Sequence, residues 1–317
     1  MEDIRPGVRL ETRAYGDVAG APTLVVWGHG LCNALAGEDS ERLWDFWAAM
    51  RADDLPRTTT TTTHAGGAPA SMDGEGAMRV VRYAARGHGN SSAASAAEDC
   101  TWRALGRDML TLGRRLRRDV NGQKLVLGGA SMGSASAIWA AVHALEDARK
   151  AAEGDGDASA AGPAPDVAPT LTDTISGLVL VILPTFHESR LRRKEQIVAA
   201  AERGYAATAG RKSIRPIFKG THRESEPPQP LGVREDSFAA VMAGGAASDL
   251  PPRDVVAAAV AAIPTVVLSW DCGDRTHPES SALAFKAMAL HARVHIARSL
   301  EDTAAWPGLI REFITGL

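Results

Sequence analysis

The pentapeptide Gly129-Ala130-Ser131-Met132-Gly133 is the sharpest chemical signal in the chain. A short apolar run, Lys124 to Leu127, precedes it, and an alanine-rich stretch reaching about Lys150 follows it. The serine therefore falls on a turn between a predicted strand and a predicted helix. In that setting a G-x-S-x-G is a nucleophile elbow: a strained bend lifts the hydroxyl above the sheet, and the glycines let strand and helix pack closely. The helix start adds free N–H groups and partial positive charge beside a developing oxyanion. The predicted chemistry is attack by Ser131 on a carbonyl carbon.

Such an attack needs donors for the oxyanion and a base to take the serine proton. His29-Gly30-Leu31 follows the apolar run Thr23 to Trp27, and the backbone N–H of Leu31 can pair with that of Met132 to bind the oxyanion. Gly28-His29-Gly30 also resembles the opening of a dinucleotide fingerprint, but the third small position is Asn33 and no helix begins there. Asp274 lies in Trp270-Asp271-Cys272-Gly273-Asp274-Arg275-Thr276-His277-Pro278, after another predicted strand, where a carboxylate orients an imidazole and stabilises its cation. Asp271, Cys272, Asp274 and His277 also invite a metal reading. No second cluster supplies ligands at a recognised spacing, so no metal is expected. His29 and His88, the latter in Arg86-Gly87-His88-Gly89-Asn90-Ser91, are expected to tie loops together by hydrogen bonds. Cys32 and Cys272, both on loops at the same edge, are expected to be inert thiols.

Strands and helices alternate along the chain. Gly7 to Gly16 reads as an antiparallel strand or hairpin, and strands are predicted at Thr23 to Trp27, Met78 to Tyr83, Lys124 to Leu127, Ile175 to Leu183, Thr265 to Trp270 and Arg293 to Ala297. Apolar residues at helical spacing mark Glu41 to Met50, Trp102 to Arg118, Val255 to Ala262, Ser280 to Ala292 and Trp306 to Thr315. That order implies an α/β fold with a mostly parallel sheet and right-handed crossovers. Residues 52–77, with a run of threonines, and 153–173, rich in Ala, Gly, Asp and Pro, cannot build a packed face and are expected to be low-complexity surface insertions. Arg114, Arg115, Arg117 and Arg118 read as the solvated side of an amphipathic helix.

At 317 residues the chain is long enough for one large core, or one core with a lid. Its formal charge of −3 gives no global positive field, so neither nucleic acid nor an acidic membrane surface is an expected partner. No apolar run reaches the roughly 18 residues a bilayer span needs. Three cysteines are too few for a disulfide scaffold, and the N-terminus, MEDIRPGVRL, has no apolar leader core, so a cytoplasmic location is expected.

With HGL after the third strand, RGHGNS after the fourth, GASMG after the fifth and D-x-x-H-P after the penultimate one, the chain resembles the alpha/beta-hydrolase superfamily. Within it the chain is most similar to the lid-bearing enol-lactonase, esterase and haloperoxidase-like branch. The likeness covers roughly Gly7 to Arg149, Ile175 to Pro184 and Ile263 to Leu317, while Arg190 to Arg253 corresponds to a variable lid. The resemblance implies one domain over 1–317 with an eight-stranded, mostly parallel sheet flanked by helices and a helical lid at 185–260. It also implies no cofactor, and hydrolysis of a small-molecule ester or lactone through a Ser–His–Asp relay.

Two departures stand out. The family commonly has Asp where this chain has Ala84, which costs at most a local turn contact. The family's histidine sits after the last strand, here around Ser299 to Thr303, and no histidine follows His295. His277, three residues past Asp274 on the correct edge, is the best placed substitute. His187 enters from the same edge, and His295 lies inside the predicted strand, some 10–16 Å below the rim at roughly 3.3 Å per residue. If none of them serves, the protein is a ligand- or protein-binding member of the fold with a degenerate triad.

Overall fold

The computed structural model describes residues 1–16, 21–40, 45–48, 78–117, 122–154, 175–208, 218 and 231–317. Strands β1 (Glu2–Arg5) and β2 (Val8–Leu10) form a separate antiparallel hairpin. β3 (Thr12–Tyr15), β4 (Thr23–Gly28), helix α1 (Leu35–Ser40), β5 (Met78–Tyr83), α2 (Trp102–Leu116), β6 (Lys124–Ala130) and α3 (Met132–Gly154) follow. Next come β7 (Gly177–Val181), α4 (Leu191–Thr208, interrupted at Gly204), α5 (Phe238–Ala247), α6 (Arg253–Val260) and β8 (Thr265–Trp270). The chain closes with α7 (Glu279–Met288), β9 (Arg293–Ala297), α8 (Leu300–Ala304) and α9 (Trp306–Thr315).

The central sheet runs β3-β5-β4-β6-β7-β8-β9, with β3 antiparallel to β5 and every other pair parallel. It has seven strands among the described residues, where the sequence implied eight, because β1 and β2 pair only with each other. The parallel strands β4, β7 and β8 are buried at every position, so they read as nearly unbroken apolar runs. Along β4, Leu24 and Val26 enter the core under α2, α3, α6 and α7, while Val25 and Trp27 enter the core shared with α9.

β6 runs three residues past its predicted end, since Gly128, Gly129 and Ala130 continue to pair with β7. Of the predicted helix Glu41 to Met50 only residues 45–48 are described, with Phe46 and Trp47 in a turn that leads into helix at Ala48; the remainder lies outside the described residues. So do residues 52–77 and 155–173. α8 carries no predicted helix; it is a five-residue helix capped by Ser299, whose Oγ accepts the N–H of Asp302 at 3.1 Å. Arg114 pairs with Asp147 at 2.6 Å, a bond between α2 and α3. Among the described residues no helix is long and apolar enough to cross a membrane.

Candidate active site

β4, β6 and the start of α3 converge at the C-terminal edge of the sheet. Gly28 stands opposite Gly129, and a Cβ at Gly129 or Gly133 would lie 2.3 or 2.1 Å from the Gly28 carbonyl oxygen. No other residue fits at either position, and this closeness turns the chain abruptly at Ser131. Its φ of 52° is left-handed, a region L-residues rarely adopt, and its N–H donates to Val181 O at 2.9 Å. The bend leaves Ser131 half-buried at the N-terminus of the 23-residue α3. Met132, the first residue of that helix, has no helical carbonyl one turn back to take its N–H.

A base must reach Ser131 across β7, since the acid-bearing turn follows β8, two strands away at about 4.8 Å each. His277 spans that gap. Its Nε2 lies 2.7 Å from Ser131 Oγ and its Nδ1 donates to Asp274 Oδ2 at 2.8 Å. With Nδ1 protonated by that bond, Nε2 accepts the serine hydroxyl. The other carboxylate oxygen of Asp274 accepts Thr276 N–H at 2.7 Å, an Asx turn that folds the chain back and brings His277 over its own acid. Thr185 N–H, just past β7, donates to Thr276 O at 2.9 Å and pins this turn to the neighbouring strand.

The site is dry on one side and wetter on the other: the His277 side chain is 1% exposed and that of Asp274 15%. Burial pushes the Asp274 carboxyl up. The hydrogen bond from His277, the nearby imidazole charge and the N–H groups of Thr276 and His277 outweigh it, and the pKa ends below its ordinary value. Trp270, fully buried at the end of β8, meets the His277 ring edge-to-face at 6.5 Å and stacks on Trp306 at 5.9 Å. Neither tryptophan was singled out from the sequence. The only available signal was a Trp ending the strand just ahead of the D-x-x-H segment.

The two other candidate histidines, His187 and His295, are placed away from Ser131. His187 donates Nε2–H to Pro251 O at 2.9 Å, and His295 lies mid-strand in β9, opposite Leu268. The loop after β9, where the family's base was expected, closes on itself as Asp302 Oδ2 accepts Arg298 N–H at 2.7 Å. His29 bridges two loops, with Nδ1–H donating to Gly30 O at 2.8 Å and Nε2 accepting Ala85 N–H at 3.0 Å. Burial, together with the neighbouring His88, lowers its pKa to about 3. Burial likewise lowers that of His88 to about 4. Among the described residues no group of three or more His, Cys, Asp or Glu is placed to hold a metal ion.

Leu31 lies beyond Gly30, whose Cβ, if present, would stand 3.7 Å from Ser131 Cβ. The turn carrying it is closed by Asn33 N–H to Gly30 O at 3.1 Å. Gly30 thus brings the turn that carries Leu31 beside the serine, and Met132 follows the serine at the start of α3.

No protein-family model matches the chain, and no curated protein sequence does. Solved structures do resemble it. An enol-lactonase from Burkholderia xenovorans LB400 superposes with a TM-score of 0.55 at 16% identity, covering 98% of this chain and 97% of its own. A thermophilic esterase from Thermogutta terrifontis gives 0.55 at 19% identity, covering 96% and 94%. A structure described among carboxylesterases of Nitrososphaera gargenis gives 0.60 at 12%, covering 98% and 97%. Over nearly the full length of each chain, these likenesses show that the protein has the alpha/beta-hydrolase fold.

Proposed function

We propose that the protein is a serine hydrolase that cleaves a carboxylic ester or lactone through an acyl-enzyme at Ser131. The observation that carries this reading is the continuous chain Ser131 Oγ, His277 Nε2, His277 Nδ1, Asp274 Oδ2, with links of 2.7 and 2.8 Å. Ser131 Oγ attacks the carbonyl carbon while its proton passes to His277 Nε2. The oxyanion of the tetrahedral intermediate accepts the N–H groups of Leu31 and Met132. As the intermediate collapses, the C–O bond breaks and the alkoxide leaves with the proton from Nε2; in a lactone that alcohol stays tethered to the acyl group. Water then attacks the acyl-enzyme, giving its proton to Nε2. Collapse releases the acid and returns the proton to Ser131 Oγ. Throughout, Asp274 holds the ring and stabilises its cationic form.

In this reading the chain is one domain whose lid is the segment 185–260, and 52–77 and 153–173 are surface insertions. Support for the lid comes from α4 and α5, which pack together through Ile197, Ala200, Phe238, Val241 and Met242, with Leu31 and Cys32 at the edge of that cluster. The contact between Ser131 and His277 favours catalysis over the non-catalytic reading, which needs a serine without a base. The test is intact-mass analysis after acid quench of a reaction with p-nitrophenyl butyrate or a δ-lactone. The expected result is a mass gain equal to the acyl group in the wild type and none in Ser131→Ala. Turnover of both substrates by Ser131→Ala at the wild-type rate would overturn the proposal.

A further inference from the structure

The turn that carries Leu31 holds a conformation it does not favour on its own. Cys32, at its third position, has a φ of 66°, in the left-handed region that suits glycine. Something outside the turn must hold it there. Its carbonyl accepts the N–H of Gly232 at 2.9 Å. Gly232 belongs to the segment 231–234, within the proposed lid, which lies across two loops of the site edge at once. Gly89 N–H donates to Gly232 O at 2.8 Å, Arg234 N–H donates to Gly87 O at 2.9 Å, and Val233 bridges His88 in antiparallel fashion. The loop after β5 is itself anchored by Arg86, which pairs with Asp108 and Asp99 at 2.6 Å each. A firm support on one side therefore fixes the position of the turn on the other.

Only glycine fits between them. A Cβ on Gly232 would stand 2.3 Å from Asn33 C, 2.4 Å from Asn33 O and 2.5 Å from Ala34 N, all backbone atoms with no flexible end to yield. From the far side, α5 holds the same dipeptide. Leu31 Cδ2 would be 3.3 Å from a Cβ on Gly245, and Cys32 Sγ lies 3.8 Å from Met242 Sδ.

We infer that Gly232 is a positioning residue for the oxyanion site: its N–H to Cys32 O and its lack of a side chain set where the Leu31 amide points. The inference rests on the serine-hydrolase reading above, in which that amide receives the oxyanion. Gly232 touches no reacting atom. Moving it shifts the Asn33–Ala34 backbone and releases Cys32, so the cost falls on the transition state and not on substrate binding.

The experiment compares wild type, Gly232→Ala and a variant with Gly232 replaced by glycolic acid, which deletes the N–H donor and adds no bulk. Three readouts are taken: kcat and KM on p-nitrophenyl butyrate, Ki for an alkyl trifluoromethyl ketone whose hemiketal oxyanion occupies the same donors, and the 1H–15N shift of the Leu31 amide. Losing one oxyanion donor lowers kcat on the order of 100- to 1,000-fold, and partial misalignment should cost at least about tenfold. Gly232→Ala is expected to lower kcat and raise Ki at least about tenfold, with KM within about twofold and the Leu31 amide shifted. The glycolate variant is expected to move all three in the same direction by a smaller factor. Should Gly232→Ala fail to fold, the glycolate variant decides. A folded variant with unchanged kcat, Ki and Leu31 shift would overturn the inference. If the wild type itself neither turns over ester nor binds the ketone, the hydrolase reading falls instead, and the Leu31 shift still judges the positioning claim.

Discussion

Asp274 and His277 lie three residues apart on one turn, and the carboxylate accepts the imidazole Nδ1–H at 2.8 Å. Acid and base of the proposed relay are therefore a local pair. The Asx turn through Thr276 N–H presets their geometry, and one backbone bond from Thr185 docks the unit against β7. Ser131 receives the unit across the intervening strand.

Asp274→Asn keeps the shape of this turn but offers an amide where the Nδ1–H needs a carboxylate. The ring then loses its fixed tautomer and the partner for its cation. On the order of a 1,000- to 10,000-fold loss in kcat is expected, with KM little changed. Steady-state kinetics on p-nitrophenyl butyrate check it, with circular dichroism showing that the variant is folded. A loss below tenfold would argue that Asp274 does not hold the ring.

Trp270 backs His277 and is itself backed by Trp306. An edge-to-face aromatic pair is worth about 0.5–1.5 kcal/mol beyond its buried area. Trp270→Leu removes the ring and leaves space for His277 to swing. Expected is a fall in kcat of roughly tenfold with KM unchanged, while Trp270→Phe retains most activity. Equal losses in the two variants would show that the aromatic edge is irrelevant.

The buried His29 and His88 make stability fall in mild acid. Their folded pKa values, about 3 and about 4, lie below the unfolded 6.5, so the unfolded chain binds more protons once the pH drops below about 6.5. Their contribution is fully present above that value and is lost progressively as the pH falls towards the folded pKa values. At about 1.4 kcal/mol per unit for each histidine, the pair costs roughly 4 kcal/mol between pH 7 and pH 5. Urea midpoints across that range measure it. A flat profile would mean that both rings protonate as easily in the folded protein as in the unfolded chain.

Much of the frame was legible in the sequence because parallel strands covered on both faces must be apolar throughout. β4, β7 and β8 announce themselves in this way, and the glycines around Ser131 mark the elbow because their crowding is local. Features that depend on through-space partners were not legible. The order β5-β4-β6 rests on crossovers that no single segment encodes, and α8 is too short to carry a periodic signal. The count of central strands differed because β1 closes on β2 and leaves β3 at the sheet's edge. Three histidines were compatible with the motif order, and the distinction between them lies in an Asx turn and a strand-to-loop bond. Gly232 gave no signal, since its requirement for hydrogen in place of a side chain comes from Asn33, roughly two hundred residues earlier in the chain.

The most direct measurement is the labelling rate of a fluorophosphonate at Ser131, followed by intact mass and peptide mapping in four proteins: wild type, His277→Ala, His187→Ala and His295→Ala. One adduct at Ser131 is expected in the wild type, with nearly the same rate in His187→Ala and His295→Ala and a rate at least about a thousandfold lower in His277→Ala. Labelling of His277→Ala at the wild-type rate, or no adduct at Ser131 in the wild type, would contradict the proposed relay.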